Sequence, residues 1–166
     1  TTIIILISIF SGTQLVFLRS DESDVKEFNV VMYKDGLYPT DYRYKYPKAG
    51  EDNSRISLLV YDIPSNTTTT VPAGEGLGDF YVARFGFTDA ETVWYMQLNR
   101  LQNEKLIFTL NVPVLRAVQS GLKPKEIYRE TSTTYIEVTD DLHFLKDGSA
   151  FVLTSEKSGW NHAYWC

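Results

Sequence analysis

Histidine and cysteine, the usual metal ligands and nucleophiles, are rare in this sequence. His143 and His162 are the only histidines, and Cys166 is the only cysteine. No cysteine, histidine or carboxylate stands at the spacing of a metal site with either histidine. We therefore interpret both histidines as hydrogen-bonded strand or turn residues, and we predict no metal site and no cofactor.

Two pairs of adjacent carboxylates could supply a general acid and a general base. These pairs are Asp140-Asp141 and Asp21-Glu22. Neighbouring residues on a strand point to opposite faces of a sheet, so the two members of such a pair do not converge on one substrate atom. We interpret these residues as solvated turn carboxylates.

Three tryptophans could form a flat platform on which a sugar ring stacks. They are Trp94, Trp160 and Trp165, in a chain that also has 11 Tyr and 9 Phe. Aromatic packing between neighbouring sheets explains the tryptophans without a ligand. We favour packing, with a glycan-binding module as the alternative.

Composition and charge exclude several classes of protein. The chain has 166 residues, of which 43% are hydrophobic and 22% charged, so it can form a packed core. A net charge of -5 and the lack of any Lys/Arg-rich run argue against a nucleic-acid partner. A single cysteine permits no internal disulfide, so folding does not require an oxidising compartment.

The first ten residues are apolar or small and lack a basic flank. The stretch is too short to span a bilayer and has no charged start of a signal peptide. We predict a buried strand here. Because no initiating Met is present, we expect a processed or truncated chain.

Short runs of β-type residues recur along the whole chain, separated by turn residues such as Asp147-Gly148. Only residues 114–121 could form a helix, and a strand is an equal alternative there. The sequence therefore predicts an all-β protein. The predicted strands are 3–10, 14–19, 28–34, 56–63, 80–87, 92–98, 105–112, 135–138, 150–155 and 161–165.

A degenerate repeat suggests which all-β architecture forms. Stretches beginning at Phe10, Phe87 and Phe144 each show an aromatic residue, a tight polar turn and a hydrophobic strand. A second strand follows, as at 57–62 and 105–111. Such units, returning at irregular intervals, are typical of β-propeller blades, and an ordinary β-sandwich is the alternative.

Residues 20–55 interrupt this regularity. The stretch is polar, rich in tyrosine and contains Pro39 and Pro47. We predict an insertion between two strands of one blade, of a length that is usually functional or interface-forming.

Three ordered stretches resemble one enzyme family. Residues 46–53 read Tyr-Pro-Lys-Ala-Gly-Glu-Asp-Asn, and residues 81–103 contain Trp-Tyr-Met-Gln-Leu-Asn-Arg-Leu-Gln-Asn. Residues 143–164 contain His-Phe, Asp-Gly, Ser-Glu and Gly-Trp, and end in His-Ala-Tyr. Together these stretches, within residues 10–166, are similar to the N-terminal β-propeller of dipeptidyl peptidase IV enzymes.

The resemblance implies a propeller that caps an α/β-hydrolase domain. Such enzymes remove dipeptides from peptides with Pro or Ala second, by acyl transfer on a Ser-Asp-His triad. This sequence contains no Gly-x-Ser-x-Gly elbow, which that chemistry needs. We therefore expect residues 1–166 to be a fragment of one propeller domain, roughly three blades of an expected eight, with no catalytic residues.

The substrate-binding residues of the family do not transfer to this chain. The family's paired glutamates, which hold the substrate amine, lie before the region where this chain begins, and nothing acidic precedes Asp21. The family's arginine and phenylalanine near the specificity pocket would fall close to 135–138, where the residue types differ. The substrate-binding residues of this chain are therefore unknown.

We expect the chain to be the non-catalytic propeller region of an exported bacterial dipeptidyl peptidase, in the periplasm or cell envelope. Its partners would be the hydrolase domain of the longer chain and that enzyme's peptide substrate. It would gate substrate access, supply part of the substrate wall and aid dimerisation. Open flanks of an incomplete ring also predict a homo-oligomer. The alternative is a stand-alone propeller-like binding or scaffolding module.

Overall fold

The computed structural model describes the backbone of residues 2–10 and all of residues 12–74, 78–117 and 121–166. Strands hold 50% of the residues and all pair antiparallel, which confirms the all-β prediction. The strands are β1 (Thr2–Phe10), β2 (Gln14–Asp21), β3 (Glu27–Met32), β4 (Thr40–Lys45), β5 (Arg55–Asp62), β6 (Thr67–Val71), β7 (Phe80–Phe87), β8 (Thr92–Asn99), β9 (Glu104–Asn111), β10 (Lys125–Thr131), β11 (His143–Phe144), β12 (Phe151–Ser155) and β13 (His162–Trp165).

In the described part of the chain, the strands form three sheets and one separate hairpin. Sheet 1 has the order β1-β2-β5-β6, sheet 2 the order β7-β8-β9-β10, and sheet 3 the order β11-β12-β13. Strands β3 and β4 pair only with each other, and we call this hairpin the arm. The arm lies between β2 and β5, which pair from Gln14↔Asp62 to Asp21↔Arg55.

Sheet 2 is packed on both faces. Val93 and Tyr95 of β8 belong to a core shared with sheet 1, whereas Met96 lies in a second core shared with sheet 3. The half-buried Trp94 packs in the second core against the Phe144 ring of sheet 3, with 5.7 Å between ring centroids. Three sheets stacked in series are typical of consecutive propeller blades and differ from a two-sheet sandwich.

The repeat noticed in the sequence corresponds to the first hairpin of each sheet. Phe10 pairs with Gln14 across the β1–β2 turn, and Phe87 pairs with Val93 across the β7–β8 turn. Phe144 pairs with Phe151 across the turn that contains Gly148, whose φ of 68° suits glycine. The turn predicted at Asp147-Gly148 is therefore confirmed, and it closes the β11–β12 hairpin.

The strand predicted at 135–138 is wrong. Ile136 is buried, but its amide donates to the carbonyl oxygen of Gln102 at 2.8 Å, and the segment pairs with no strand. The alternation of polar and apolar residues there reflects two apolar side chains of a loop, the buried Ile136 and Val138, which packs against the second core.

Four strands were absent from the predicted set, namely β4, β6, β10 and β11. β4 and β6 are mostly exposed edge strands, and β10, at the edge of sheet 2, has four charged residues among its seven. β11 has only two residues. Edge strands and very short strands give weak hydrophobic periodicity.

A short helix, α1 (Val112–Ala117), follows β9. The side chain of Asn111 accepts a hydrogen bond from the Val114 amide at 3.1 Å, as an N-cap does. The sequence allowed either a helix or a strand at residues 114–121. The structure has a helix, which begins two residues before that range. In the part of the chain that the structure describes, no helix has the length and apolar character needed to cross a membrane.

Replacing a leucine with alanine should lower the free energy of unfolding much more in the core than at the surface. Leu58 is 0% exposed in the core between sheets 1 and 2, whereas Leu101 is 76% exposed. We expect Leu58→Ala to lower the free energy of unfolding by about 2–5 kcal/mol. The matched control Leu101→Ala should cost less than about 0.5 kcal/mol. Urea unfolding measures both, and equal costs would contradict the packing described here.

Candidate functional site between the second and third sheets

A cleft of about 510 Å³ lies between sheets 2 and 3. Its floor contains Lys105, Glu130 and Ser155, and its wall is the segment 131–139 that follows β10. Lys157 and Asn161, in the loop between β12 and β13, line the opposite side. The wall is rich in hydroxyl groups, so the lining of the cleft is more polar than apolar.

The floor is a buried ion pair with two further hydrogen bonds. Lys105 Nζ lies 3.0 Å from Glu130 Oε2, and the two side chains are 5% and 6% exposed. The Tyr128 hydroxyl donates to Glu130 Oε2 at 2.8 Å, and the Ser155 hydroxyl donates to Glu130 Oε1 at 2.6 Å. Both carboxylate oxygens are therefore satisfied, as a buried charge requires.

Burial opposes ionisation of Glu130, but the hydrogen bonds from Ser155, Lys105 and Tyr128 outweigh it and keep the pKa of Glu130 below its usual range. Burial and the bond to Glu130 raise the pKa of Tyr128. Glu130 is thus an ionised carboxylate with its acceptors occupied, which does not suit a general base. Because Glu130 lies on β10 and Ser155 on β12, the cluster ties sheet 3 to sheet 2.

The wall of the cleft is held by backbone hydrogen bonds to one turn. The amides of Ser132 and Ile136 donate at 2.8 Å to the carbonyl oxygens of Asn103 and Gln102. The Asn99 side chain closes this turn by accepting from the Asn103 amide at 3.0 Å. The Trp-to-Asn motif seen in the sequence therefore forms the turn at residues 99–103 between β8 and β9, which positions the wall.

The structure does not bring the two histidines together. His143 lies opposite Val152, whereas His162 pairs with Ser155, and both histidines are exposed. Across residues 12–74, 78–117 and 121–166, no three His, Cys, Asp or Glu residues cluster as a metal site needs.

The adjacent carboxylates take separate partners. Asp140 forms an ion pair with Arg84, and the hydrogen bond from Arg84 lowers the pKa of Asp140. Asp141 accepts from the Thr154 hydroxyl at 2.9 Å. Asp21 accepts from the Ser23 hydroxyl and amide, which lower the pKa of Asp21. None of these contacts makes a two-carboxylate site.

The tryptophans divide into two groups. Trp94 packs between sheets 2 and 3, as predicted, but Trp160 and Trp165 are 78% and 69% exposed. Within the described residues no sheet covers Trp160 or Trp165, so packing between blades stays a prediction for these two.

The sequence did not predict the buried cluster of Lys105, Tyr128, Glu130 and Ser155 on the cleft floor. Its one signal is that Tyr128 and Glu130 are two residues apart and so share a strand face. Lys105 lies directly opposite Glu130 in the pairing of β9 with β10. This pairing could not be predicted from the sequence, because β10 was not among the predicted strands.

Removing the charge of Glu130 should destabilise the protein strongly. Glu130→Gln leaves Lys105 buried without a counter-charge, so we expect the free energy of unfolding to fall by about 3–5 kcal/mol at pH 7. The matched control Glu126→Gln breaks an exposed ion pair with Arg129 and should cost at most about 1 kcal/mol.

The same variants, compared by urea unfolding at several pH values, test the direction of the pKa shift. Because the pKa of Glu130 is lowered on folding, its stabilisation is fully present above the unfolded-state pKa and is lost as the pH falls through the folded-state pKa. The wild-type advantage over Glu130→Gln should therefore shrink in acid. A constant advantage would contradict an ionised Glu130.

The chain matches known proteins over nearly its whole length. The family model for the dipeptidyl peptidase IV (DPP IV) N-terminal region matches residues 10–166. The crystal structure of Porphyromonas gingivalis dipeptidyl peptidase 4 is 38% identical with a TM-score of 0.81, over 96% of this chain and 22% of that chain.

Curated relatives agree at lower identity. Inactive dipeptidyl peptidase 10 of Rattus norvegicus is 27% identical over 147 residues, which is 86% of this chain and 18% of the relative. Dipeptidyl peptidase 4 of Sus scrofa is 23% identical over 165 residues, or 92% of this chain and 22% of the relative. The chain thus spans about a fifth of the proteins it matches.

These matches confirm both the resemblance and the partial propeller predicted from the sequence. The chain belongs to the dipeptidyl peptidase IV N-terminal region family.

Proposed function

We propose that the chain is the non-catalytic propeller region of a serine dipeptidyl peptidase that removes N-terminal dipeptides with Pro or Ala second. The chemistry would reside in an α/β-hydrolase domain of the longer protein. One observation carries this proposal: the chain is 38% identical to a dipeptidyl peptidase 4 over 96% of its length, yet spans 22% of that chain.

The cleft supports a role in lining a substrate chamber. Its wall carries hydroxyl groups but no histidine or free buried carboxylate, and the turn at 99–103 holds the wall in place. A fixed polar surface of this kind suits guiding a peptide and limiting its access. Location in the periplasm or cell envelope stays a prediction.

The arm supports a role in dimerisation. It projects as a two-stranded hairpin, a unit that is marginally stable alone in water. Tyr33, Leu37 and Tyr38 near its tip are 83%, 99% and 85% exposed. We propose that a second copy of the chain covers them, because exposed apolar patches of this kind mark interfaces.

The charges on the arm are compatible with contact between the arms of two copies of the chain. Between Glu27 and Lys45 the sequence has three acidic and three basic residues, so two arms do not repel each other. Tyr42 and Tyr44 form a row of rings with 5.5 Å between centroids. Tyrosine is enriched in interface cores because its large ring loses little conformational entropy on binding.

A second candidate is a non-catalytic scaffold. The specific observation in its favour is that a relative, 27% identical over 86% of this chain, is named an inactive dipeptidyl peptidase. Such a protein would keep the propeller and the arm, and act by binding partners.

Hydrolysis of a chromogenic Gly-Pro substrate separates the two candidates. We expect the natural-length product of the gene to release the dipeptide, and the isolated 166-residue chain to be inert. Activity in the isolated chain would contradict the proposal that the chemistry lies elsewhere. An inert natural-length protein would favour the scaffold.

Polar substitution at the arm tip tests dimerisation. Leu37→Ser removes an apolar side chain that is 99% exposed in the monomer, so we expect the dissociation constant of the dimer to rise at least tenfold. Leu101→Ser, on the exposed turn of sheet 2, is the matched control. Sedimentation measures both in the natural-length protein. Equal dissociation constants for the two variants would exclude the arm tip from the interface.

A further inference from the structure

The arm is connected to sheet 1 by two short linkers, residues 22–26 and residues 46–54. These linkers are held to each other at the base of the arm. The Tyr46 amide donates to the Lys26 carbonyl oxygen at 3.0 Å, and Lys45 Nζ donates to the Val25 carbonyl oxygen at 2.7 Å. Val25 is 4% exposed, so its side chain is buried at the base of the arm.

The second linker is also bonded to sheet 2. Arg100 Nη2 donates to the carbonyl oxygen of Glu51, and Arg100 Nη1 lies 2.7 Å from Asp79 Oδ2. Asn53 Nδ2 donates to the Tyr81 hydroxyl at 2.9 Å, which adds a second bond between this linker and sheet 2. Residues 46–53 therefore join the arm to sheet 2, although the arm itself lies between two strands of sheet 1.

An ion pair extends this connection to the first linker. The carboxylate of Glu51 pairs with the Lys26 ammonium group, and the Lys48 amide donates to Glu51 at 3.3 Å. The hydrogen bond from Lys26 and the nearby positive charges lower the pKa of Glu51. A continuous polar path therefore runs from Arg100, through Glu51, to the base of the arm.

We infer that Arg100 is a positioning residue that fixes the direction of the arm relative to sheet 2. The hydrogen bond at Tyr46 closes the base of the arm but leaves the closed base able to pivot on its two linkers. A bond to sheet 2 removes that freedom, because it fixes a second point of the linker. Guanidinium suits the task, since its planar fork binds Glu51 and Asp79 at once.

This inference rests on the proposed role of the arm in dimerisation and deepens it. An arm with a fixed direction loses less conformational freedom when a second copy binds, so dimers form more readily. Arg100 also belongs to the turn at 99–103 that holds the cleft wall at Ser132 and Ile136. One turn therefore positions both the arm and the wall.

Hydrogen exchange in Arg100→Gln tests the inference in the natural-length protein. In dilute, monomeric protein we expect amide exchange in residues 22–26 and 46–54 to rise at least tenfold. The matched control is Arg84→Gln, which removes an arginine of β7 that pairs with the exposed Asp140 and donates to the Ala83 carbonyl oxygen. It should leave exchange at the base of the arm unchanged. Arg100→Lys keeps one donor for the Glu51 carbonyl and should restore part of the protection.

A second variant keeps the test decisive where Arg100→Gln does not fold. Lys26→Met breaks the path at its exposed end without touching sheet 2, and we expect faster exchange at the same linkers. Unchanged exchange in Arg100→Gln, or in Lys26→Met where Arg100→Gln does not fold, would overturn the inference.

Sedimentation of the same variants separates this inference from the proposed dimer. We expect Arg100→Gln to weaken the dimer about tenfold. A weaker dimer without faster exchange in the monomer would place Arg100 in the interface itself and overturn the positioning role. A wild-type protein that stays monomeric would refute the proposed dimer, while the exchange result would still decide the role of Arg100.

Discussion

Sheet 2 carries apolar side chains on both of its faces, and the rest of the structure follows from the need to cover both. On β8, Val93 and Tyr95 pack towards sheet 1, whereas Trp94 and Met96 pack towards sheet 3. Removing either neighbour would expose one apolar face to water, so the three sheets must stack in series. A buried glutamate can join this stack because Glu130 receives donors from both sheet 2 and sheet 3.

The turn at residues 99–103 is the second element on which the geometry depends. Its carbonyl oxygens hold the wall of the cleft, and its Arg100 side chain binds the linker of the arm. The same turn therefore positions both the wall and the arm, through Arg100, Gln102 and Asn103. This arrangement accounts physically for the two most specific motifs in the sequence, since residues 46–53 and residues 94–103 meet here.

Sequence reasoning succeeded where hydrophobic alternation was strong and failed where contacts between distant residues decide the structure. The hairpins that begin at Phe10, Phe87 and Phe144 were predictable, because an aromatic residue, a polar turn and an apolar strand are local signals. The segment 135–138 resembled a strand because Ile136 needs burial, but its amide bonds to a carbonyl group 34 positions earlier in the chain. The Glu130 cluster depends on strand pairing across β9 and β10, and no local pattern encodes that register.

The central claim is that the three sheets are consecutive blades of one propeller that belongs to a larger peptidase. An experimental structure of the natural-length protein tests this claim most directly. We expect β1, β7 and β11 to line a common central axis as the first strands of successive blades, with the catalytic serine in a separate α/β domain. Sheets packed as a closed two-layer sandwich, or a nucleophilic serine within residues 1–166, would contradict it.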